Sequence, residues 1–531
     1  MQNNDLDADN VQVTQAAGVV SMATLLSRVL GYVRDMVMAS FFGAGLASDA
    51  FIAAFRIPNL LRRLFGEGSL SIAFVPVFSD CLSRQGKAEA ERLAVSALRL
   101  LTVVLASVAA LGLLLAPLIV RLLAYGFTDD PQKFALCIHL TRIMMPYIFF
   151  IGLVALCMGI LNVLGHFAAP ALAPTLLNAA MIGMVFCFAW VSPSQNTRVA
   201  GLALGVLLGG VLQLGLQLPF LGRHGIRFWR AAPLWHPAMK QVLLLMGPAV
   251  FGAAVYQINS LVICLLGSLL PQGSITYLYY ADRLVQFPLG MFAIALATAV
   301  LPTLSRQAAE GQWDALRGTF AHAIRLIFFI TLPSMVGLIV LRAPIVALLF
   351  RHGAFGEQSV RLTAEALLYY GVGLWAFSAV RILIYTFYAL QDTRTPVQMA
   401  IIAIIANAVL GTMLMKPMKH NGLALALSLA SVLHLGLLAA ALRRKMGALG
   451  WRRIARSIAR SGVCAAVMGL SVWWLARWTM PQGVADRGEL LAGVSLCTVA
   501  GVAVFVGLAM VLRTPELDVV KQIVGKRGQL R

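Results

Sequence analysis

Charge is scarce in this 531-residue chain: 12% of the residues are charged and only 21 are acidic, while 60% are hydrophobic. With a mean hydropathy of +0.84, that scarcity excludes a soluble globular protein of ordinary composition. Short segments of alternating polarity, the mark of a transmembrane β-barrel, are missing too. The remaining way to satisfy every backbone group in lipid is the helix. The seven cysteines, at 81, 137, 157, 187, 264, 464 and 497, show no CxxC or Cys/His spacing, which argues against a disulfide framework or a cysteine metal site and leaves them as helix-packing residues. His166, His224, His352 and His420 lack metal-ligand spacing and are expected in solvated loops. No Gly-rich phosphate loop runs into a Lys and Ser/Thr, so ATP is not an expected ligand. No nucleophile, base and orienting group converge. A transporter without cofactor or metal is expected rather than an enzyme. The opening MQNNDLDADN has no basic region of the kind that starts a secretory signal, and reads as a disordered polar tail over 1–16 that is not cleaved.

What is abundant is long apolar runs. Read against Gly, Pro and charge punctuation, they give about fourteen transmembrane helices: 17–42, 48–80, 92–124, 134–164, 169–191, 198–222, 238–269, 274–305, 316–341, 358–390, 396–416, 421–442, 455–479 and 489–512. The formal charge of +21 comes from Lys and Arg dispersed among these runs, a pattern that suits membrane orientation and anionic headgroups and not nucleic acid. With the N-terminus inside, the inner loops hold Arg84, Lys87 and Arg92, the cations from Arg223 to Lys240, Arg306, Arg394, and the dense stretch from Arg443 to Arg456. The outer loops are poorer, with chiefly Lys133, Arg198, Arg342, Arg351, Arg361, Lys416, Lys419 and Arg487. An even number of crossings then leaves both termini cytoplasmic.

An internal repeat organises the chain. SDAFIAAF…AFVPVFSD from Ser48 aligns with SITYLYYAD…AVLPTLSR from Ser274; APLIVRLL from Ala116 falls on APIVALLF from Ala343; and GLALGVLLGGVLQLGL from Gly201 falls on GLALALSLASVLHLGL from Gly422. Each match alone could reflect composition, but their common order and nearly constant offset point to duplication. A repeat of six helices, an even number, predicts two pseudo-symmetric six-helix lobes that run parallel in the membrane. The expected organisation is an all-α integral membrane protein: a tail (1–16), an N-terminal lobe (17–230), a C-terminal lobe (231–446), two extra helices (447–513) and a basic tail (514–531).

Several charges fall within these apolar runs. The first span holds Arg28, Arg34 and Asp35; the second holds Asp49, Arg56, Arg62, Arg63 and Glu67; the eighth holds Asp282 and Arg283. Each costs at least about 2.5–3.5 kcal/mol at a helix centre, so a wet cavity or a partner must compensate. Pro58 and the Gly66/Gly68 pair flank Arg62 and Arg63 and predict a kink or break. The planar fork of arginine matches phosphate oxygens, so the cation excess points to an anionic, phosphate-bearing substrate. A structural reading stands beside it: the same arginines could snorkel, or pair with Asp35, Asp49 and Glu67 to hold helices together.

Beyond this residue-level reading, SRVLGYVRD, FFGAGLASDAF, IPNLLRRLFGEGSLSIAFVPVFS, YYADRL and LPTLS resemble the MurJ/MviN family of lipid II flippases over nearly the whole chain. The resemblance implies the fourteen-helix fold of the multidrug/oligosaccharidyl-lipid/polysaccharide exporter superfamily. It implies that lipid II, the undecaprenyl-pyrophosphate-linked peptidoglycan precursor, is flipped from the cytoplasmic to the periplasmic leaflet of the bacterial inner membrane by alternating access, among membrane lipids and with cell-wall synthesis proteins as further partners. Carried over by motif, Arg28, Arg34, Arg62, Arg63 and Arg283 would meet the pyrophosphate, and Asp49 and Glu67 would pair with charges or form the gate. Gln286 stands where some relatives carry an acid. Rival readings are an exporter of another polyprenyl-linked oligosaccharide, a drug antiporter of the same fold, and a membrane scaffold that does not transport.

Overall fold

The computed structural model describes residues 2–64, 70–227, 233–447, 449–480 and 487–517, and among them the regular structure is helical, with no strand. Two compact units emerge: one takes in the chain through Ile275 together with His352–Ala354, the other Thr276–Arg351 and the chain from Phe355 onward. Helices α1 (Gln2–Phe42), α2 (Leu46–Leu64), α3 (Leu70–Gln85), α4 (Lys87–Leu114), α5 (Ala116–Leu123), α6 (Pro131–Met144), α7 (Tyr147–Val163), α8 (Ala168–Val191), α9 (Gln195–Arg223) and α10 (Met239–Ser268) build the first unit. The second is built from α11 (Ser274–Pro288), α12 (Ile294–Ala309), α13 (Trp313–Val340), α14 (Arg342–Phe350), α15 (Glu357–Val372), α16 (Leu374–Ala389), α17 (Arg394–Met418), α18 (His420–Met446), α19 (Trp451–Thr479) and α20 (Arg487–Val511). The division after Ile275 comes one helix later than the expected lobe boundary at 230/231, because α10 packs against α2, α3 and α5.

Among the described residues, ten helical segments are long and apolar enough to cross a membrane, or eleven if α15 and α16, bent by 43° at Gly373, count as one. The segments α1, α2 with α3, and α10 fall outside that count. The expected second span is two helices, α2 and α3, on either side of 65–69, a stretch outside the described residues.

The first residues correct the expectation of an irregular tail, since α1 begins at Gln2. Nothing between Gln2 and Ala17 breaks a helix, as the stretch has no Gly or Pro. At the other end, the tail expected from 514 starts as packed chain. Thr514, Glu516 and Leu517 are buried, and Glu516 Oε1 accepts from Ser457 Oγ (2.9 Å) and faces Arg325 Nη1 at 3.5 Å.

Small residues set the closest helix approach. On α9, Gly201, Gly205 and Gly209 recur every four residues and so share one face. A Cβ on Gly205 would stand 2.8 Å from Met181 Cα, and one on Gly209 2.9 Å from Leu177 Cα, both backbone atoms of α8. The α8–α9 hairpin therefore packs backbone to backbone, the arrangement small residues permit in a membrane. In the second unit, α17 and α18 form the corresponding hairpin, with Gly422, Ala426 and Ala430 buried on α18. The last two helices belong to the second unit as well: Cys464, Met468 and Val472 of α19 and Cys497 and Phe505 of α20 share a core with Phe329 of α13. Six of the seven cysteines are buried, as helix-packing residues should be. His420 is also buried, its Nε2 3.1 Å from the Leu362 carbonyl, which corrects its assignment to a solvated loop.

Candidate functional site

The charged residues of the first unit divide into two environments. Arg34 lies on α1, which packs against α8. Its Nη2 donates to Asp35 Oδ1 at 2.6 Å and its Nε to the same oxygen at 3.0 Å, while Nη1 donates to Asn178 Oδ1 at 3.1 Å. Asn178 in turn donates from Nδ2 to the Ser27 carbonyl at 3.1 Å. Arg34 and Asp35 are both buried, at 6% and 0% exposure. A charged pair taken out of solvent requires this many hydrogen bonds, and here they tie α1 to α8.

Asp49 lies in the first turn of α2 and is 1% exposed. Its Oδ2 accepts from Lys133 Nζ at 2.8 Å and from the Gly273 backbone N–H at 2.8 Å. Lys133 is buried as well, with its ammonium 4.2 Å from the Phe127 ring centroid, a position in which the ring face attracts the cation. Sequence reasoning gave Lys133 to an outer loop. The local signal that places it is the run Asp130-Pro131-Gln132-Lys133: Pro131 opens α6 and Asp130 Oδ1 accepts from the Gln132 and Lys133 backbone N–H groups at 3.0 and 3.1 Å. That cap holds Lys133 in the first turn of a helix packed on α2, and the ammonium reaches Asp49.

The arginines farther along α2 sit differently. Arg56 donates through Nη1 to the Ser260 hydroxyl and, at 3.2 Å, to the Ser260 carbonyl on α10. Arg62 is half-buried and donates from Nε to Asn59 Oδ1 at 3.1 Å, one turn earlier on the same helix. Arg63 is half-buried, and its Nε is shielded from solvent with no hydrogen-bond partner among the described residues. Two consecutive guanidinium groups at the C-terminal end of α2 also face the negative end of that helix dipole. Glu67, expected to share a face with Arg63, lies outside the described residues. Arg28 is exposed on α1. In the second unit Arg283 is half-buried on α11, and Gln286 Nε2 lies 3.5 Å from Asp282 Oδ1 one turn away. Among the described residues, no group of three or more His, Cys, Asp or Glu could hold a metal ion. The half-buried guanidinium groups are of a chemistry suited to binding an anion.

The family model for the lipid II flippase MurJ matches residues 38–489. The chain belongs to the MurJ family. A protein of Vibrio cholerae named "Probable lipid II flippase MurJ" is 38% identical over 490 residues, covering 90% of this chain and 92% of the relative. The lipid II flippase MurJ of Burkholderia cenocepacia is 35% identical over 502 residues, covering 93% and 96%. Among solved structures, a lipid II flippase MurJ in an inward closed conformation superposes with a TM-score of 0.78 at 26% identity over 93% of this chain and 98% of that one. An inward-facing multidrug transporter of the MATE family shares the fold, with a TM-score of 0.69 at 16% identity over 82% of this chain and 99% of that one. The matched MurJ region contains Asp49, Arg62, Arg63 and Arg283, whereas Arg28 and Arg34 precede it.

Proposed function

We propose that this chain is a lipid II flippase, a transporter that moves the undecaprenyl-pyrophosphate-linked peptidoglycan precursor from the cytoplasmic to the periplasmic leaflet of the bacterial inner membrane by alternating access. Membership of the MurJ family over most of the chain carries this reading. The chemistry agrees with it, because the half-buried guanidinium groups of Arg62 and Arg63 match a pyrophosphate and would repel a cationic drug. With α1, the α2–α3 pair and α10 as the remaining crossings, the count is fourteen and both termini are cytoplasmic. The repeat supports two six-helix lobes followed by α19 and α20. Proteins that make or consume lipid II are the expected neighbours in the membrane.

Within this reading Arg28, Arg62 and Arg63 hold the pyrophosphate, and Arg283 of the second unit has the same assignment. Arg34 supports the site from behind, as its donors are already engaged by Asp35 and Asn178, and Asp49 is a pairing residue for Lys133. The test is depletion of the native protein in cells complemented by Arg28→Ala, Arg62→Ala or Arg283→Ala, with surface-exposed lipid II scored and membrane insertion checked. Loss of exposed lipid II from normally inserted variants is expected. Undiminished exposure from all three would remove the assigned site.

A further inference from the structure

The second unit holds a cavity of about 330 Å³ between α14 and α15 that the flippase reading does not use. Its walls follow from helical spacing. On α14, Ala343, Ala347 and the following Arg351 recur every four residues and share a face; on α15, Glu357, Val360, Arg361 and Ala364 fall at three- and four-residue spacings that also share a face. The two helices pack against each other, and alanine at three of the facing positions leaves the space open. Arg342, at the start of α14, closes one side.

Three guanidinium groups thus surround one cavity with two carboxylates. The two carboxylates stand at the outer limit of ion-pair distance from these arginines. Glu357 Oε1 is 3.9 Å from Arg351 Nη1 with its own side chain 82% exposed, and Glu365 Oε1 is 4.0 Å from Arg361 Nε. Glu365 is also engaged by Asn421, whose Nδ2 donates to Oε2 at 3.0 Å. Arg342 Nη1 donates to the Ile339 carbonyl at 2.7 Å, which fixes the guanidinium at the wall of the cavity. The excess is one positive charge, held by forks that match phosphate oxygens.

Two observations make the cluster more than a consequence of the fold. In the first copy of the repeat, the positions aligned with Arg342 and Arg351 are Leu115 and Ala124, so neither arginine is required to build this pair of helices. In the proposed orientation the cluster also lies on the side that the positive-inside rule keeps poor in cations, so it is not a topology signal.

We infer that the α14–α15 cavity is an anion site for a phosphate group, supplied by an acidic phospholipid headgroup or by a free diphosphate. Basic pockets between membrane helices hold acidic headgroups in this way. Arg342 and Arg361 grip the phosphate from two sides, Arg351 adds its charge to the wall, and the alanines admit the glycerol or the second phosphate.

The test uses the full chain in detergent. Native mass spectrometry measures retention of phosphatidylglycerol or cardiolipin against phosphatidylethanolamine, and thermal shift measures the response to inorganic pyrophosphate. Wild type is expected to retain the acidic lipids about tenfold better than phosphatidylethanolamine, and the Arg342→Gln/Arg361→Gln variant to lose that preference. A pyrophosphate-dependent shift present in wild type and absent in the variant supports the site with a soluble source instead. Glu357→Gln removes a competing carboxylate at an exposed position and is expected to strengthen retention or the shift, and this arm decides the matter if the double variant does not fold. Equal lipid retention and no pyrophosphate response across wild type, the double variant and Glu357→Gln would overturn the inference.

Discussion

Two cation sites at opposite ends of α2, the Lys133–Asp49 pair and the Arg62/Arg63 pair, have opposite characters. At the Asp49 end of the helix, Lys133 is buried, bonded at 2.8 Å and backed by an aromatic ring. At the other end, Arg62 and Arg63 are half-buried, and the described residues supply Arg62 Nε with Asn59 and leave Arg63 Nε without a partner. The first site satisfies its charges within the protein, so its energy is committed to folding. The second includes Arg63 Nε, a donor that no described residue satisfies, and such a donor suits a ligand that can accept from it. Arg34, locked on Asp35 and Asn178, belongs with the first kind although its sequence motif resembles the second.

Ranked by effect on thermal stability, the largest loss is expected at the closed site. Asp49→Ala leaves the Lys133 ammonium buried without its counter-charge and should cost about 3–5 kcal/mol, read as a lowered melting temperature of purified protein in detergent. Adding Lys133→Met should restore most of that loss, because a matched apolar pair removes both desolvation costs. A double variant as unstable as Asp49→Ala alone would show that the carboxylate matters chiefly through Gly273. Arg34→Gln should cost less, about 1.5–3 kcal/mol, because glutamine can still reach Asn178 and Asp35 makes further interactions of its own. If Arg34→Gln is as stable as wild type while translocation falls, Arg34 belongs with the open site and the comparison is drawn in the wrong place.

How much of this was legible beforehand depends on the range of the interaction. Helical class, most span positions and the close α8–α9 hairpin follow from local apolar runs and from glycines spaced four apart, and both are visible within thirty residues of sequence. The pairing of charges was not. Asp49 meets Lys133 across 84 positions and Arg34 meets Asn178 across 144, so no spacing rule joins them, and Lys133 looked like a loop cation two residues after a proline. The cap formed by Asp130 was the one local hint that Lys133 begins a helix. The bend between α15 and α16 has no proline to announce it; Gly371 and Gly373 are its sequence marks.

The smallest stability change, and the sharpest test of the contrast, belongs to Arg63→Gln. Removing a charge that the described residues do not satisfy at Nε relieves a desolvation cost as well as losing packing, so stability should stay within about 0.5 kcal/mol of wild type. Translocation should respond differently, since a neutral amide can donate to a phosphate oxygen but cannot offset its charge, and hydrogen bonds to charged groups are roughly twice as strong as neutral ones. Flipping assayed in cells is expected to fall about tenfold or more, with Arg63→Lys retaining part of it because the charge remains and the fork does not. A large fall in melting temperature for Arg63→Gln with flipping unchanged would reverse the assignment, placing Arg63 among the residues that hold α2 in place.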